Sequence, residues 1–283
     1  MESTTPTIID LDAEAARLTM FRGRTAQTTF AERKGSSALL GSYRDGFLLL
    51  SKFAGKAHWE VHPEDEWFYI LDGAMIADIL EPDGPRSFPL AAGTTAVIPK
   101  GAWHRVRSAD GVTAFSATIP SDHIDLDIDD LRPALTPATQ GQFASRSASV
   151  VDLAAELAKL TMFRRTPEAT AADRKGSVAV LDSYRDGLVL AIKASGTDHW
   201  ERHLTGDELV CVLEGAATLQ IVCGDGPPKS CELRAGTVAV IPQGAWHRLL
   251  SAAGATQVAV TPFPGETIER DIDDPRGFES KRV

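Results

Sequence analysis

The sequence predicts an all-β protein made of two tandem antiparallel domains, each a sandwich or barrel with one short N-terminal helix. Three observations carry this. The chain of 283 residues is comfortable for two domains, its two halves repeat one another, and its apolar segments are short and separated by Gly, Pro and Asp.

The repeat is direct. Ile9-Asp10-Leu11 followed by Leu18-Thr19-Met20-Phe21-Arg22 returns as Val151-Asp152-Leu153 followed by Leu160-Thr161-Met162-Phe163-Arg164. Arg33-Lys34-Gly35-Ser36 returns as Arg174-Lys175-Gly176-Ser177, Ser42 to Gly46 as Ser183 to Gly187, and His58-Trp59-Glu60 as His199-Trp200-Glu201. Gly101-Ala102-Trp103-His104 and Asp127 to Asp130 have their copies in Gly244-Ala245-Trp246-His247 and Asp271 to Asp274. A period this long signals duplicated domains rather than a solenoid. The expected domains are 1–135 and 150–283, joined by a linker over 136–149 rich in Pro, Thr, Ala, Ser and Gln.

Within the first copy 47–53, 67–71, 74–80, 94–98 and 112–119 read as strands, and 188–194, 209–213, 216–222, 237–241 and 256–261 are their counterparts. Closely spaced strands with turn residues between them indicate an antiparallel sandwich or barrel. Asp10 to Phe21 and Asp152 to Phe163 read as helices instead. Leu11, Ala15, Leu18 and Phe21 have the spacing of one helical face behind an aspartate cap.

Hydrophobic residues at 43% and charged residues at 24% are ordinary for a folded globular chain. The formal charge of −10 argues against a general affinity for nucleic acid or an anionic membrane, which requires basic patches. Cys211, Cys223 and Cys231 all lie in the second half without zinc-ribbon spacing, so reduced thiols are expected. Met1 to Thr7 lacks the order of a signal peptide, and no apolar run approaches membrane-spanning length. The expected compartment is the cytoplasm. The expected partner is a small-molecule substrate or ligand, with no nucleic acid and no membrane; a homodimer is compatible with this reading.

In the first copy Glu60, His62 and Glu66 lie on adjoining strands, Gly73 follows Glu66 after six residues, and a second block runs Gly93, Pro99, Gly101, His104. The second copy has Glu201, His203, Glu208 and Gly215, then Gly236, Pro242, Gly244 and His247. These blocks resemble the two motifs of the cupin superfamily, and the chain is similar to a bicupin. The resemblance implies a cupin barrel, the double-stranded β-helix or jelly roll, in each half. It also implies a divalent transition metal in each barrel, up to two per chain, held by His62, Glu66 and His104 and by His203, Glu208 and His247. The family's first motif opens on a histidine where this chain has Glu60 and Glu201, and the asparagine that often closes the second is Ser108 and Ser251.

Alternate strand positions share a face, so His58, Glu60 and His62 point together, as do His199, Glu201 and His203. Two residues along a strand span about 6.6 Å, short enough for side chains to converge on an ion bound at roughly 2.1 Å, whereas four span about 13 Å and need a bend. Glu60 and Glu201 are therefore the expected fourth ligands, or catalytic bases where they stay off the metal. His58 and His199 read as rim residues or as partners that orient a ligand. Imidazole with carboxylate suits iron, manganese, nickel or zinc.

Phe68, Ile70 and Val106 in one copy, and Val210, Val212 and Leu249 in the other, are expected to line mainly apolar pockets. No conspicuous Lys or Arg stands inside the motif strands, which disfavours a dicarboxylate, although Arg44, Arg105, Arg185 and Arg248 are placed to reach a pocket mouth. Trp103 and Trp246 read as packing, and the aspartate runs as solvated caps or inter-domain contacts rather than calcium loops. The functional reading is a metal-dependent enzyme of the dioxygenase type acting on a small organic substrate. A non-redox isomerase or hydrolase and a non-catalytic small-molecule binding or sensor protein are the alternatives.

Overall fold

The computed structural model describes residues 5–136 and 146–282; residues 137–145 of the expected linker lie outside the described residues. The chain begins with β1 (Thr7–Asp10) and α1 (Leu11–Arg17), then β2 (Phe21–Arg24), β3 (Ser37–Tyr43), β4 (Gly46–Lys56) and β5 (Trp59–Val61). It continues through β6 (Glu66–Glu81), β7 (Gly84–Ala91), β8 (Thr94–Ile98), β9 (His104–Thr118) and β10 (Asp122–Ile124). The second copy runs β11 (Ser149–Asp152), α2 (Leu153–Ala158), β12 (Phe163–Arg165), β13 (Val178–Tyr184), β14 (Gly187–Thr197) and β15 (Trp200–His203). It closes with β16 (Glu208–Ile221), β17 (Lys229–Arg234), β18 (Thr237–Ile241), β19 (His247–Pro262), β20 (Gly265–Ile268) and β21 (Lys281–Arg282). The all-β architecture is the one expected, and no helix among the described residues is long and apolar enough to cross a membrane.

One compact unit comprises Ala13–Ala154, the other Ala155–Val283 with the N-terminal segment up to Asp12. Each unit thus takes one strand from the other half of the sequence. β1 pairs antiparallel with β18, Ile9 opposite Val238, and β11 pairs antiparallel with β8, Val151 opposite Thr95. Both are short β-branched runs, Thr-Ile-Ile-Asp and Ser-Val-Val-Asp. They satisfy sheet edges whose N–H and C=O groups would otherwise be unpaired.

The helices are shorter than their apolar spacing suggests. α1 ends at Arg17 because the chain turns back on itself, the Thr19 N–H donating to the Gly35 carbonyl, and Phe21 then pairs in parallel with Phe53 of β4. Phe163 does the same with Ala194 of β14. Sheet pairing outweighs a helical pattern of this length.

The strands are longer than their punctuation suggests. The segments read at 67–71 and 74–80 form one strand, β6, and His104 to Thr118 form another, β9; β16 and β19 repeat this arrangement. β6 and β9 stay paired from Trp67–Ala117 to Ile79–His104, with register shifts around Gly73. At Gly73 the backbone is left-handed, φ +75°, and a Cβ there would meet the Gly111 carbonyl oxygen at 2.2 Å; Gly215 has φ +77° and the same 2.2 Å approach to Gly254. These glycines are bends within strands rather than turns between them.

Apolar side chains fill each barrel, Phe53, Ile70, Ile79 and Ile98 among them in one, Val212, Leu219, Ile221 and Ile241 in the other. Trp103 and Trp246 pack outside these cores, with Trp59 and with Trp200. The Trp59 and Trp200 indoles donate to the Ile128 and Ile272 carbonyls, and Arg105 and Arg248 stack over the same rings. The aspartate runs are salt-bridged caps, Asp129 taking Arg105 and Asp274 taking Arg276.

Gly73→Ala and Gly215→Ala should each destabilise the fold by at least about 2 kcal/mol, because the left-handed backbone costs about 1–2 kcal/mol before the carbonyl clash is added. Gly93 has φ +80° but open space at its Cβ. Gly93→Ala should lose only the backbone part, and equal losses at all three positions in urea unfolding would show that the close approach is not a constraint.

Candidate metal centres

Each barrel gathers four donors from four places in its chain. In the first, Glu60 lies on β5, His62 just beyond it, and Glu66 and His104 open β6 and β9. Glu60 stands directly opposite His104 in the sheet, and paired residues carry neighbouring side chains. The second barrel repeats this with Glu201 opposite His247. Glu66 and His104 reach the group differently, since they start opposite ends of the β6–β9 ladder, whose register shifts on both sides of Gly73.

Within the first group the Glu66 carboxylate lies 3.2 Å from His104 Nε2 and 3.5 Å from His62 Nε2, and Glu60 lies 3.8 Å from His104 Nε2. In the second, Glu208 lies 2.9 Å from His247 Nε2 and 3.5 Å from His203 Nε2, with Glu201 at 3.8 Å from His247 Nε2. The donors of each group all fall within 4.8 Å of one another. Donors on one ion at about 2.1 Å can stand at most about 4.2 Å apart, so tenths of an ångström of contraction close the site.

The rings are already oriented. His62 Nδ1 donates to the Ile119 carbonyl at 2.6 Å, and His104 and His247 Nδ1 to the carbonyls of Ala102 and Ala245 at 3.0 Å. This leaves the Nε2 of these three rings facing the group, the arrangement a ligating imidazole needs. His62 Nε2 and His203 Nε2 are buried with no hydrogen-bond partner. Buried polar atoms are normally satisfied. A divalent ion supplies what these two lack, and the residues fit one.

Burial alone would raise the carboxylates, yet the bond from His58 and the charges of His104, His62 and His58 hold Glu60 well below its ordinary range. Glu201 is held down in the same way against burial by His199, His247 and His203. His62 shows the converse: burial lowers its pKa, but Glu66 and then Glu60 outweigh it and push it up to about 9. Glu208 and Glu201 likewise push His203 up to about 9 against burial.

The expected ligands are therefore together in both barrels. His58 and His199 stand behind the glutamates, 3.6 Å from Glu60 and 3.3 Å from Glu201. His199 is buried rather than at a rim.

A cavity of about 160 Å³ opens on Glu60, His62 and Glu66, and one of about 510 Å³ on Glu201, His203 and Glu208. Phe68 and Val106 line the first as expected. Ile70, Val210 and Val212 are core residues instead, and Leu249 lies elsewhere. The remaining apolar wall comes from the facing strands, Phe47 and Leu49 of β4 and Leu190 and Ile192 of β14. Both pockets are mainly apolar as expected, but cations stand in their walls, Arg24 and Arg33 in the first and Arg165, Arg174 and Lys175 in the second. Arg44 and Arg185 lie against Tyr43 and Tyr184 and Arg105 and Arg248 over tryptophans, so none of the four expected arginines lines either cavity. The repeated Arg33-Lys34 and Arg174-Lys175 pairs were a signal for the cavity cations that motif-strand composition missed.

The family model described as "Cupin domain" matches residues 50–116, and the one described as "Cupin" matches residues 178–280. This chain is a bicupin of the cupin superfamily. Among solved structures, a tryptophan-to-phenylalanine variant of Bacillus subtilis oxalate decarboxylase aligns with the bicupin at TM-score 0.53 and 12% identity, over 93% of this chain and 79% of that one. The tyrosine variant at the same tryptophan gives TM-score 0.51 and 14% identity over the same shares. At these identities the likeness is one of fold. No curated protein matches the bicupin in sequence.

In the metal-free bicupin the raised His62 and His203 contribute stability that is fully present below their ordinary value of 6.5 and is lost as pH rises through about 9. A metal must displace those protons. Affinity for a divalent ion should therefore rise with pH and level off above about 9, with proton release near about pH 7 in calorimetry across buffers of different ionisation heat. Uptake that releases no proton would contradict this assignment.

Proposed function

We propose that this bicupin is a metal-dependent enzyme of the dioxygenase type that acts on a small organic substrate inside its barrels. The observation that carries the reading is that the converging donors are themselves cavity wall. A structural metal site is closed by its protein ligands, whereas a catalytic one keeps a position open to substrate. Glu60, His62 and Glu66 face one cavity, and Glu201, His203 and Glu208 the other.

An iron or manganese ion bound there would supply a redox centre at which substrate and O₂ are brought together. The chain's own residues set the conditions. Backbone carbonyls at Ile119, Ala102 and Ala245 keep His62, His104 and His247 aimed inward. Thr261 donates to Glu208 at 2.6 Å and fixes that carboxylate. Phe47, Leu49 and Phe53 narrow the first cavity.

A second reading is favoured by Glu60 and Glu201. Both stay ionised beside a histidine, and Ser121 donates to Glu60 at 3.1 Å. A carboxylate so held can accept a substrate proton, which supports non-redox isomerase or hydrolase chemistry where these residues stay off the metal.

Full-length protein reconstituted with iron, manganese, nickel or zinc should retain close to two ions per chain, and the iron or manganese form should consume O₂ with a keto acid or aromatic substrate. Turnover that survives strict anaerobiosis moves the assignment to the second reading, and failure to retain any ion removes both. Glu60→Ala with Glu201→Ala should weaken ion affinity at least about tenfold, since even partners outside the ligand set are worth about 10–100-fold. Unchanged affinity makes the two glutamates bases rather than ligands.

A further inference from the structure

We propose that the N-terminal cavity takes a small organic anion whose carboxylate is bound by Arg24, and that Asp198 has neutralised the equivalent position in the C-terminal cavity. The proposal names the substrate class of the first site and rests on the enzyme reading only in treating that cavity as the place where substrate binds.

Arg24 ends β2 with only 9% of its surface exposed. Its guanidinium lies 4.7 Å over the Phe53 ring, and both residues line the cavity shared with Glu60, His62 and Glu66. Its Nε is buried without a partner. Among the described residues no carboxylate lies within ion-pair distance of this guanidinium and no hydrogen bond leaves it. Burial, and then the neighbouring Arg33, lower its pKa to about 10, so it keeps its charge at neutral pH. A charge left buried and unpaired is costly, and a guanidinium in a cavity wall is well suited to a carboxylate through paired N–H donors.

The second barrel supplies the comparison. Arg165 occupies the equivalent place, opposite Gly196 as Arg24 is opposite Gly55, and is as deeply buried. There, however, Arg165 Nη1 is ion-paired with Asp198. The residue matching Asp198 in the first copy is Ala57, 1% exposed and uncharged. The half-buried cations, Arg33 and Arg174, are matched between the copies. One buried negative charge, present beside Arg165 and absent beside Arg24, therefore distinguishes the two arginine sites, and Lys175 is a further cation in the second cavity wall. Size separates them further, for about 160 Å³ lies below the roughly 300–1,000 Å³ of ordinary ligand pockets and limits the anion to a few heavy atoms.

Acetate and its uncharged counterpart acetamide are the probes, titrated by calorimetry into the full-length protein in both metal-free and metal-loaded forms. Acetate should bind at one site per chain and acetamide should not. Ala57→Asp places the second copy's carboxylate beside Arg24 without touching any metal ligand and should weaken acetate binding at least about tenfold. Arg24→Gln should do the same by removing the cation, which keeps the test open if the aspartate variant does not fold. Asp198→Ala should raise acetate stoichiometry towards two. Acetate binding that survives both first-barrel variants, or acetamide binding equally well, overturns the Arg24 site; unchanged stoichiometry in Asp198→Ala overturns the role of Asp198. A protein that binds acetate through Arg24 but retains no metal refutes the enzyme reading and leaves this site standing.

Discussion

The site of each barrel depends on a bend in one antiparallel ladder. Glu66 and His104 begin strands that run in opposite directions, and twelve residues of β6 lie between Glu66 and the Ile79 that pairs with His104. Flat, such a ladder would hold the two ends about 40 Å apart. In the folded chain the side chains at those ends meet, Glu66 Oε2 lying 3.2 Å from His104 Nε2. The bend passes through Gly73, where the neighbouring backbone at Gly111 leaves no room for a side chain. A glycine away from the ligands thus sits at the bend of the ladder that carries two of them, and the second barrel has Gly215 against Gly254 in the same place.

Once gathered, the groups constrain one another electrically. Two carboxylates and two imidazoles in one buried pocket would be prohibitive as isolated charges. They are tolerated because the carboxylates ionise against histidines that hold their protons more tightly than usual, His62 and His203 up to about 9. A divalent ion takes over the positive charge that those protons provide. The same electrostatics that stabilise the metal-free site thus make it compete with its own ligand, and pH sets the balance.

Much of this was legible in the sequence, for a physical reason. Ligand identity is local, so Pro99-x-Gly101 before His104 and the alternation of Glu60 with His62 reveal which side chains share a face. Strand continuity is not local. Gly73 reads as a turn, yet it is a bend, because only the partner strand shows whether pairing resumes beyond it. The edge strands at Thr7–Asp10 and Ser149–Asp152 were hidden for the same reason: four residues carry little periodicity, and their partners lie in distant sequence. The cavity cations were missed because Arg24 and Arg165 come from β2 and β12, outside the motif strands.

That separation of origins bears on how the two sites can differ. The metal-binding side chains come from β5, β6 and β9 and their copies, and the bent ladder constrains them jointly, so moving one displaces the others. The cavity wall shares β6 and β9 with the donors through Phe68, Met75, Val106 and Ala114, but its two cations, Arg24 and Arg33, come from β2 and the segment after it. A substitution such as Ala57 for Asp198 changes the charge beside the cavity arginine by one unit and lies outside the donor set. Duplicated barrels built on this plan can keep an identical donor set while their cavities diverge in size and charge, which is the pattern this chain displays.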